Sequence, residues 1–204
     1  MKKLLSVVCL LVVACAVYGQ GADIWKKNQN NTLEFGGTFM EAVNDPVLNK
    51  NVKHKGKIYF KSPRQMAIQY SEPAGDLFIL NGMQMYIAKG KTKKTYDLNK
   101  ARQLNMLANL LCYGMMGQIS EIEKMVGVKA VFSEGKAFYS FKMTKDTKES
   151  RGYKQVELLY SKIDGHLSTI ALVEFSGKTT LYSVPMIRKG TVNAEAFVIP
   201  TTKK

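Results

Sequence analysis

Apolar and polar residues alternate with period two along most of this chain, and the alternation breaks once, between Asn99 and Gly127, where the spacing becomes that of a helix. A strand turns successive side chains to opposite faces, so period two marks half-buried sheet. Leu33, Phe35 and Phe39 fall on one side of an extended segment, and Ile58 and Phe60 repeat the rule between Lys57, Tyr59 and Lys61. Met66, Ile68 and Tyr70 follow in step, Glu72-Pro73-Ala74-Gly75 reads as a turn, and Leu77-Phe78-Ile79-Leu80 is a wholly apolar strand. Asn81-Gly82, two residues that tolerate positive φ, predicts a tight hairpin before Met83, Met85 and Ile87. Gly90 marks a second hairpin, leading into Thr95-Tyr96-Asp97-Leu98.

In the insert, Leu104, Leu107, Ala108, Leu111 and Cys112 stand at i, i+3, i+4, i+7 and i+8 and share one helical face, with Met106 and Leu110 beside it. Gly114 and Gly117 allow a bend near Met115-Met116; a second helix carries Ile119, Ile122, Met125 and Val126 and stops at Gly127. Strands resume at Lys129: Tyr139, Phe141 and Met143 alternate, as do Val156, Leu158 and Tyr160. Asp164-Gly165 turns the chain, then come Leu167, Thr169, Ala171, Val173 and Phe175, and after Gly177 the face formed by Tyr182, Val184 and Met186. Roughly ten strands with few helices must hide one apolar face by curling or by being covered. The expected fold is mainly β with a short helical insert: a strongly curved antiparallel sheet forming an incomplete barrel closed by an α-helical lid.

Ahead of the first strand, Met1-Lys2-Lys3 is followed by an uncharged apolar run, Leu4 to Val17, and by Tyr18-Gly19-Gln20, which reads as a secretory signal over residues 1–19. The run is shorter than the about 20 residues a spanning helix needs. Cleavage before Gln20 is favoured over lipidation at Cys15, because Cys15 would leave a very short signal and no polar tether behind it. Residues 20–204 then form a single domain, with no internal repeat, long linker or low-complexity block. Cys112 is the only thiol left, so packing rather than an intrachain disulfide holds the domain together.

The net charge of +14 admits nucleic acid, anionic lipid or acidic protein as partners, or simple solubility. Export and the lack of any nucleic-acid-binding motif argue against nucleic acid. Lys89, Lys91, Lys93 and Lys94 gather at one hairpin, and Lys53, Lys55, Lys57 and Lys61 accompany an early strand. They read equally as a solvated face or as a docking surface for lipid phosphates or acidic proteins. Catalysis finds little to work with. There is no Gly-rich phosphate loop, no metal-ligand cluster and no cofactor motif, and the two histidines read as a solvated residue between Lys53 and Lys55 (His54) and part of the Asp164-Gly165 turn (His166). The chain is expected not to be an enzyme.

Three stretches carry a resemblance. Gly56-Lys57-Ile58-Tyr59-Phe60-Lys61-Ser62-Pro63 precedes Met66-Ala67-Ile68-Gln69-Tyr70-Ser71-Glu72-Pro73, and Leu80 to Ile87 supplies the turn and an aromatic strand; near the end stands Gly190-Thr191-Val192-Asn193-Ala194-Glu195-Ala196-Phe197-Val198-Ile199-Pro200. Together they resemble the LolA/LolB-like family of outer-membrane lipoprotein carriers. The resemblance implies an incomplete barrel around an apolar cavity for acyl chains, an inner-membrane lipoprotein exporter and an outer-membrane acceptor as partners, and a periplasmic, monomeric protein. It also implies an Arg before the first of these prolines as a latch for the lid, but that position is Ser62, and Arg64 lies beyond Pro63.

Methionine is unbranched and polarizable and reshapes around varied ligands, although a Met stripe also serves as ordinary core. Under the resemblance, the candidate cavity wall is Ile58, Phe60, Met66, Ile68, Met83 and Met85 from the strands and Leu104, Leu107, Leu111, Met115 and Met116 from the insert. The expected function is a carrier that binds lipoprotein acyl chains and shuttles them toward the outer membrane. The alternatives are an exported binding protein or sensor for another lipid or glycolipid, and a β-rich adhesion or structural module with a solid core.

Overall fold

The computed structural model describes residues 34–116, 118–125, 127–145, 152–163, 165, 167–190 and 192–200. The expected signal over residues 1–19, both cleavage sites, Leu33, Asp164 and His166 lie outside them. Eleven strands form one antiparallel sheet: β1 (Glu34–Asp45), β2 (Lys50–Lys61), β3 (Gln65–Glu72), β4 (Ala74–Asn81), β5 (Gln84–Lys89) and β6 (Thr92–Asp97), then β7 (Val128–Glu134), β8 (Phe138–Lys145), β9 (Tyr153–Ser161), β10 (Leu167–Glu174) and β11 (Thr179–Lys189). The order is β6-β5-β4-β3-β2-β1-β11-β10-β9-β8-β7. The first and last strands therefore pair at the centre, and the edges β6 and β7 do not meet, so the barrel is incomplete. Flat, such a sheet would span about 48 Å at ~4.8 Å per strand spacing. Instead, Met85 of β5, Phe60 of β2, Leu158 of β9 and Phe141 of β8 share one buried core, which requires strong curvature.

The alternation read from sequence sets the inward face. Phe35, Phe39, Ile58, Phe60, Met66, Phe141, Met143, Val156, Leu158 and Tyr160 are all buried. The apolar run Leu77–Leu80 has a separate cause: β4 is covered on both sides. Phe78 and Leu80 face the main core, while Ile79 joins Ala67, Tyr86, Ala88, Val192 and Phe197 in a second cluster on the outer face. The segment 192–200, with its 3-10 turn Ala194–Phe197, forms that outer cover, and the Asn81 side-chain amide donates to the Phe197 carbonyl at 3.2 Å. The first hairpin turn sits one residue later than Asn81-Gly82 predicts. Asn81 still pairs with Gln84, and the loop is Gly82-Met83 with Gly82 at φ 59°. A leading glycine alone at positive φ matches a II′ turn, whose twist suits the flanking strands.

The insert forms α1 (Arg102–Met115) and α2 (Ile119–Glu123). α1 crosses the inner face of the sheet and buries Ala108, Leu110, Leu111, Cys112 and Met115. Gly114 is a point of close approach: a Cβ there would lie 2.5 Å from the Leu158 side chain, and the Tyr160 hydroxyl donates to the Gly114 carbonyl at 3.0 Å. α2 is shorter than the sequence suggests, with Ile122 fully buried. Gly127 follows at φ 74°.

Candidate functional site

The core does not fill the curl of the sheet. Ile58, Phe60, Leu80, Leu98, Met115 and Met116 are buried in the core and lie outside the hollow. A cavity of about 520 Å³ remains, within the roughly 300–1,000 Å³ of typical small-molecule sites. Its inner wall is apolar: Met66, Ile68, Phe78, Met85 and Ile87 from one wing, Ile170 and Leu172 from the other, with Leu107 and Leu111 of α1 above them. Its rim carries Asp45, Lys50, Asp76, Lys89 and Lys178, all near the hairpin ends of their strands. Beside the rim, the β1–β2 turn projects Val47 and Leu48, 72% and 70% exposed, and Leu48 also lines the opening.

One side chain pins the helix over this space. Arg64, in the β2–β3 turn, donates from Nε to the Gly82 carbonyl at 2.8 Å and from its two terminal nitrogens to the side-chain oxygens of Asn109 and Asn105 on α1. The guanidinium fork suits acceptors one helical turn apart on one face, which a single ammonium could not match. The position before Pro63 is Ser62, and Arg64 reaches the helix from the far side of that proline. Behind the latch, Cys112 is 1% exposed. Burial pushes its thiol up to about 12, opposed by the nearby Arg64 charge, so it is held as an inert neutral thiol.

Of the sequence-predicted wall, Met66, Ile68, Met85, Leu107 and Leu111 come together around the cavity. Ile58, Phe60, Met115 and Met116 are in the filled part of the core, Leu104 packs half-buried against that core, and Met83 points outward at 36% exposure from the hairpin turn. Period two assigns a residue to the inner face, but it cannot say whether that face meets side chains or empty space there.

Sequence reading missed the polar part of the wall. Glu41 is 7% exposed and lines the cavity from β1. The register sets it between His54 on β2 and Tyr182 on β11. Tyr70 and Tyr182 approach hydroxyl to hydroxyl at 3.3 Å, bracketing Phe39, whose ring meets theirs edge-on at 5.2 and 5.7 Å. Burial, foremost, holds both tyrosine hydroxyls above their ordinary pKa, and Glu41 beside them adds to the rise. His54 is not the solvated residue its lysine neighbours suggest: it faces inward, 6.0 Å from the Tyr70 ring. The available signal was the phase of β1, since Glu41 shares parity with Phe35 and Phe39. A glutamate on the apolar face of a strand is a buried polar group that needs a reason.

An open half-barrel with a hollow roofed by a pinned helix is the architecture of a lipid- or lipoprotein-binding carrier. The family model "Outer membrane lipoprotein carrier protein LolA" matches residues 30–200, and the chain belongs to that family. No curated protein sequence matches it significantly. Among solved structures, it is similar to the LolA superfamily protein NE2245 from Nitrosomonas europaea, at 8% identity over 87% of this chain and 96% of that one, with TM-score 0.43. It is also similar to a chain of the MucA/MucB complex from Pseudomonas aeruginosa, at 15% identity over 85% of this chain and 57% of that one, TM-score 0.42. A third is the lipoprotein LppX from Mycobacterium tuberculosis, at 8% identity, 83% and 96% coverage, TM-score 0.32.

Proposed function

We propose that this protein is a periplasmic carrier that takes up the acyl chains of lipoproteins and releases them at the outer membrane. Residues 1–19 direct its export, and the remainder forms one carrier domain. The observation that carries this reading is the apolar cavity under α1, a helix that packs one face on the core and is latched by Arg64. A chain of 16 carbons gains on the order of 12 kcal/mol on leaving water, so unaided transfer through an aqueous compartment is negligible. A cavity recovers much of that energy without covalent chemistry. Breaking the Arg64 contacts would let α1 lift and return the chain to an acceptor that holds it better.

In this reading, which family membership supports, the partners are an inner-membrane lipoprotein exporter and an outer-membrane acceptor. The exposed Val47-Leu48 tip and the lysines around the rim offer such a partner, or an anionic bilayer, a surface next to the opening. A second reading, a carrier or sensor for another amphiphile, is favoured by Glu41, Tyr70 and Tyr182, because a site for hydrocarbon alone has no use for a buried carboxylate.

The test is saturable uptake of the neutral fluorescent probe 1-N-phenylnaphthylamine, with mass spectrometry of lipid that co-purifies under gentle conditions. Leu107→Asp places a charge in the apolar wall and should reduce probe uptake at least about tenfold while the far-UV spectrum stays unchanged. Undiminished uptake by that folded variant would remove α1 from the site.

A further inference from the structure

The cavity is unevenly supplied with hydrogen-bonding groups. Glu41, Tyr182 and Tyr70 come from β1, β11 and β3, yet they converge because β1 adjoins β11, only β2 separates it from β3, and the Phe39 ring fills the angle between the tyrosines. Opposite Phe39 on β2 stands Gly56. A Cβ there would lie 2.9 Å from the Phe39 ring and 2.0 Å from the Gln69 carbonyl oxygen, so the bare glycine keeps this corner open.

Each tyrosine hydroxyl has one hydrogen, and one of the two is spent on their mutual contact at 3.3 Å. The other is left for the carboxylate, whose two oxygens together offer about four acceptor sites. His54 and Thr180, which face the same space, can each add a donor, and Tyr153 stands within electrostatic reach of Glu41. Lys178 is engaged by Glu174 at 3.2 Å, and Lys50 and Lys89 stand exposed at the rim. Asp45 and Asp76, also at the rim, are likewise engaged, accepting from the Val47 and Leu48 amides at 3.1 Å and from the Gly90 amide at 2.7 Å. The carboxylate's acceptor sites thus outnumber the donors that face them; Glu41 is buried, Tyr70 and Tyr182 are half-buried, and the group borders an apolar hollow. Such a surface is satisfied by a ligand that brings N–H or O–H groups, and it disfavours a second carboxylate.

We propose that Glu41, Tyr70 and Tyr182 form a headgroup subsite that admits an uncharged amphiphile bearing hydrogen-bond donors at the root of its chains, such as a glyceride hydroxyl or an acyl-amide N–H, and discriminates against free fatty acid. This inference rests on the carrier reading of the cavity and specifies its ligand. The chains lie along Met66, Ile68, Met85, Leu107 and Leu111, and the donor-bearing neck stops at Glu41, short of the rim.

Three probes of equal chain length separate the contributions: 1-oleoylglycerol has donors and no charge, methyl oleate has neither, and oleate has a charge and no donor. Each competes with 1-N-phenylnaphthylamine below its micellar concentration at neutral pH. The expected order is 1-oleoylglycerol tightest, methyl oleate next and oleate weakest, with the outer two at least about tenfold apart. Glu41→Gln removes the negative charge and should tighten oleate toward methyl oleate while weakening 1-oleoylglycerol. Tyr182→Phe, which keeps the ring that packs on Phe39, should narrow the gap between 1-oleoylglycerol and methyl oleate without affecting oleate repulsion as strongly. Oleate binding as tightly as 1-oleoylglycerol, or ratios unchanged in a folded Glu41→Gln variant, would overturn the subsite and leave the carrier reading standing. No saturable binding of any probe would overturn both.

Discussion

Replacing Arg64 by alanine tests how α1 is held. The guanidinium makes one hydrogen bond to the Gly82 carbonyl at 2.8 Å and bonds to Asn105 and Asn109 on the helix. Hydrogen bonds to a charged group contribute about 1.5–3 kcal/mol each when buried. The latch is half-buried, and the freed asparagines can turn to water. The net loss to the closed state is therefore put at roughly 1.5–3 kcal/mol, which raises the open population about 10- to 150-fold. Cys112 supplies the assay. In the form lacking residues 1–19 it is the sole thiol, it is buried on the helix in question, and its closed-state thiol is pushed up to about 12. Its maleimide labelling rate therefore reports opening, and the rate should rise by the same factor in Arg64→Ala while global unfolding by urea shifts less. The variant's electrostatic effect has the opposite sign, because losing the Arg64 charge raises the thiol further and would slow labelling of a closed lid. Arg64→Lys keeps the charge without the fork and should fall between the two. An unchanged or slower rate in Arg64→Ala would refute the latch.

Gly56→Ala should destabilise the fold by at least ~2 kcal/mol in urea unfolding, because its Cβ meets backbone rather than a side chain that can move; a neutral result would mean that β2 and β3 can separate at no cost. Alkaline pH should destabilise the protein through Tyr70, Tyr153, Tyr160 and Tyr182, all raised from 10.0 chiefly by burial. The unfolded chain releases these protons near pH 10 and the folded chain keeps them, so their contribution is whole below that pH and is lost as pH rises toward the folded values. The slope approaches about 1.4 kcal/mol per pH unit per tyrosine, and Tyr160→Phe should flatten the profile by one such increment. An identical slope in that variant would contradict the assignment.

The strands and the insert were legible because their evidence is local. Phe35 and Phe39, Ile58 and Phe60, and Tyr139, Phe141 and Met143 show which side faces inward through period alone, and the same arithmetic places Leu107 and Leu111 on one helical face. Turns were legible to within one residue, since Gly82 at φ 59° shows in sequence as a glycine but its partner in the loop does not. The motifs around Pro63 and Pro73 were enough to indicate the family. Tertiary structure alone decided what each inward face meets. Ile58 and Phe60 lie in solid core, whereas Met66, Ile68 and Met85 border a space. That difference depends on where a helix some forty residues later crosses the sheet. The same holds for Arg64, whose acceptors are 41 and 45 positions away, and for Tyr70 and Tyr182, which meet across 112 positions. Periodicity reports the orientation of a side chain relative to its own backbone. A cavity, a latch or a polar corner is a relation between distant segments, and it exists only once the sheet has curled.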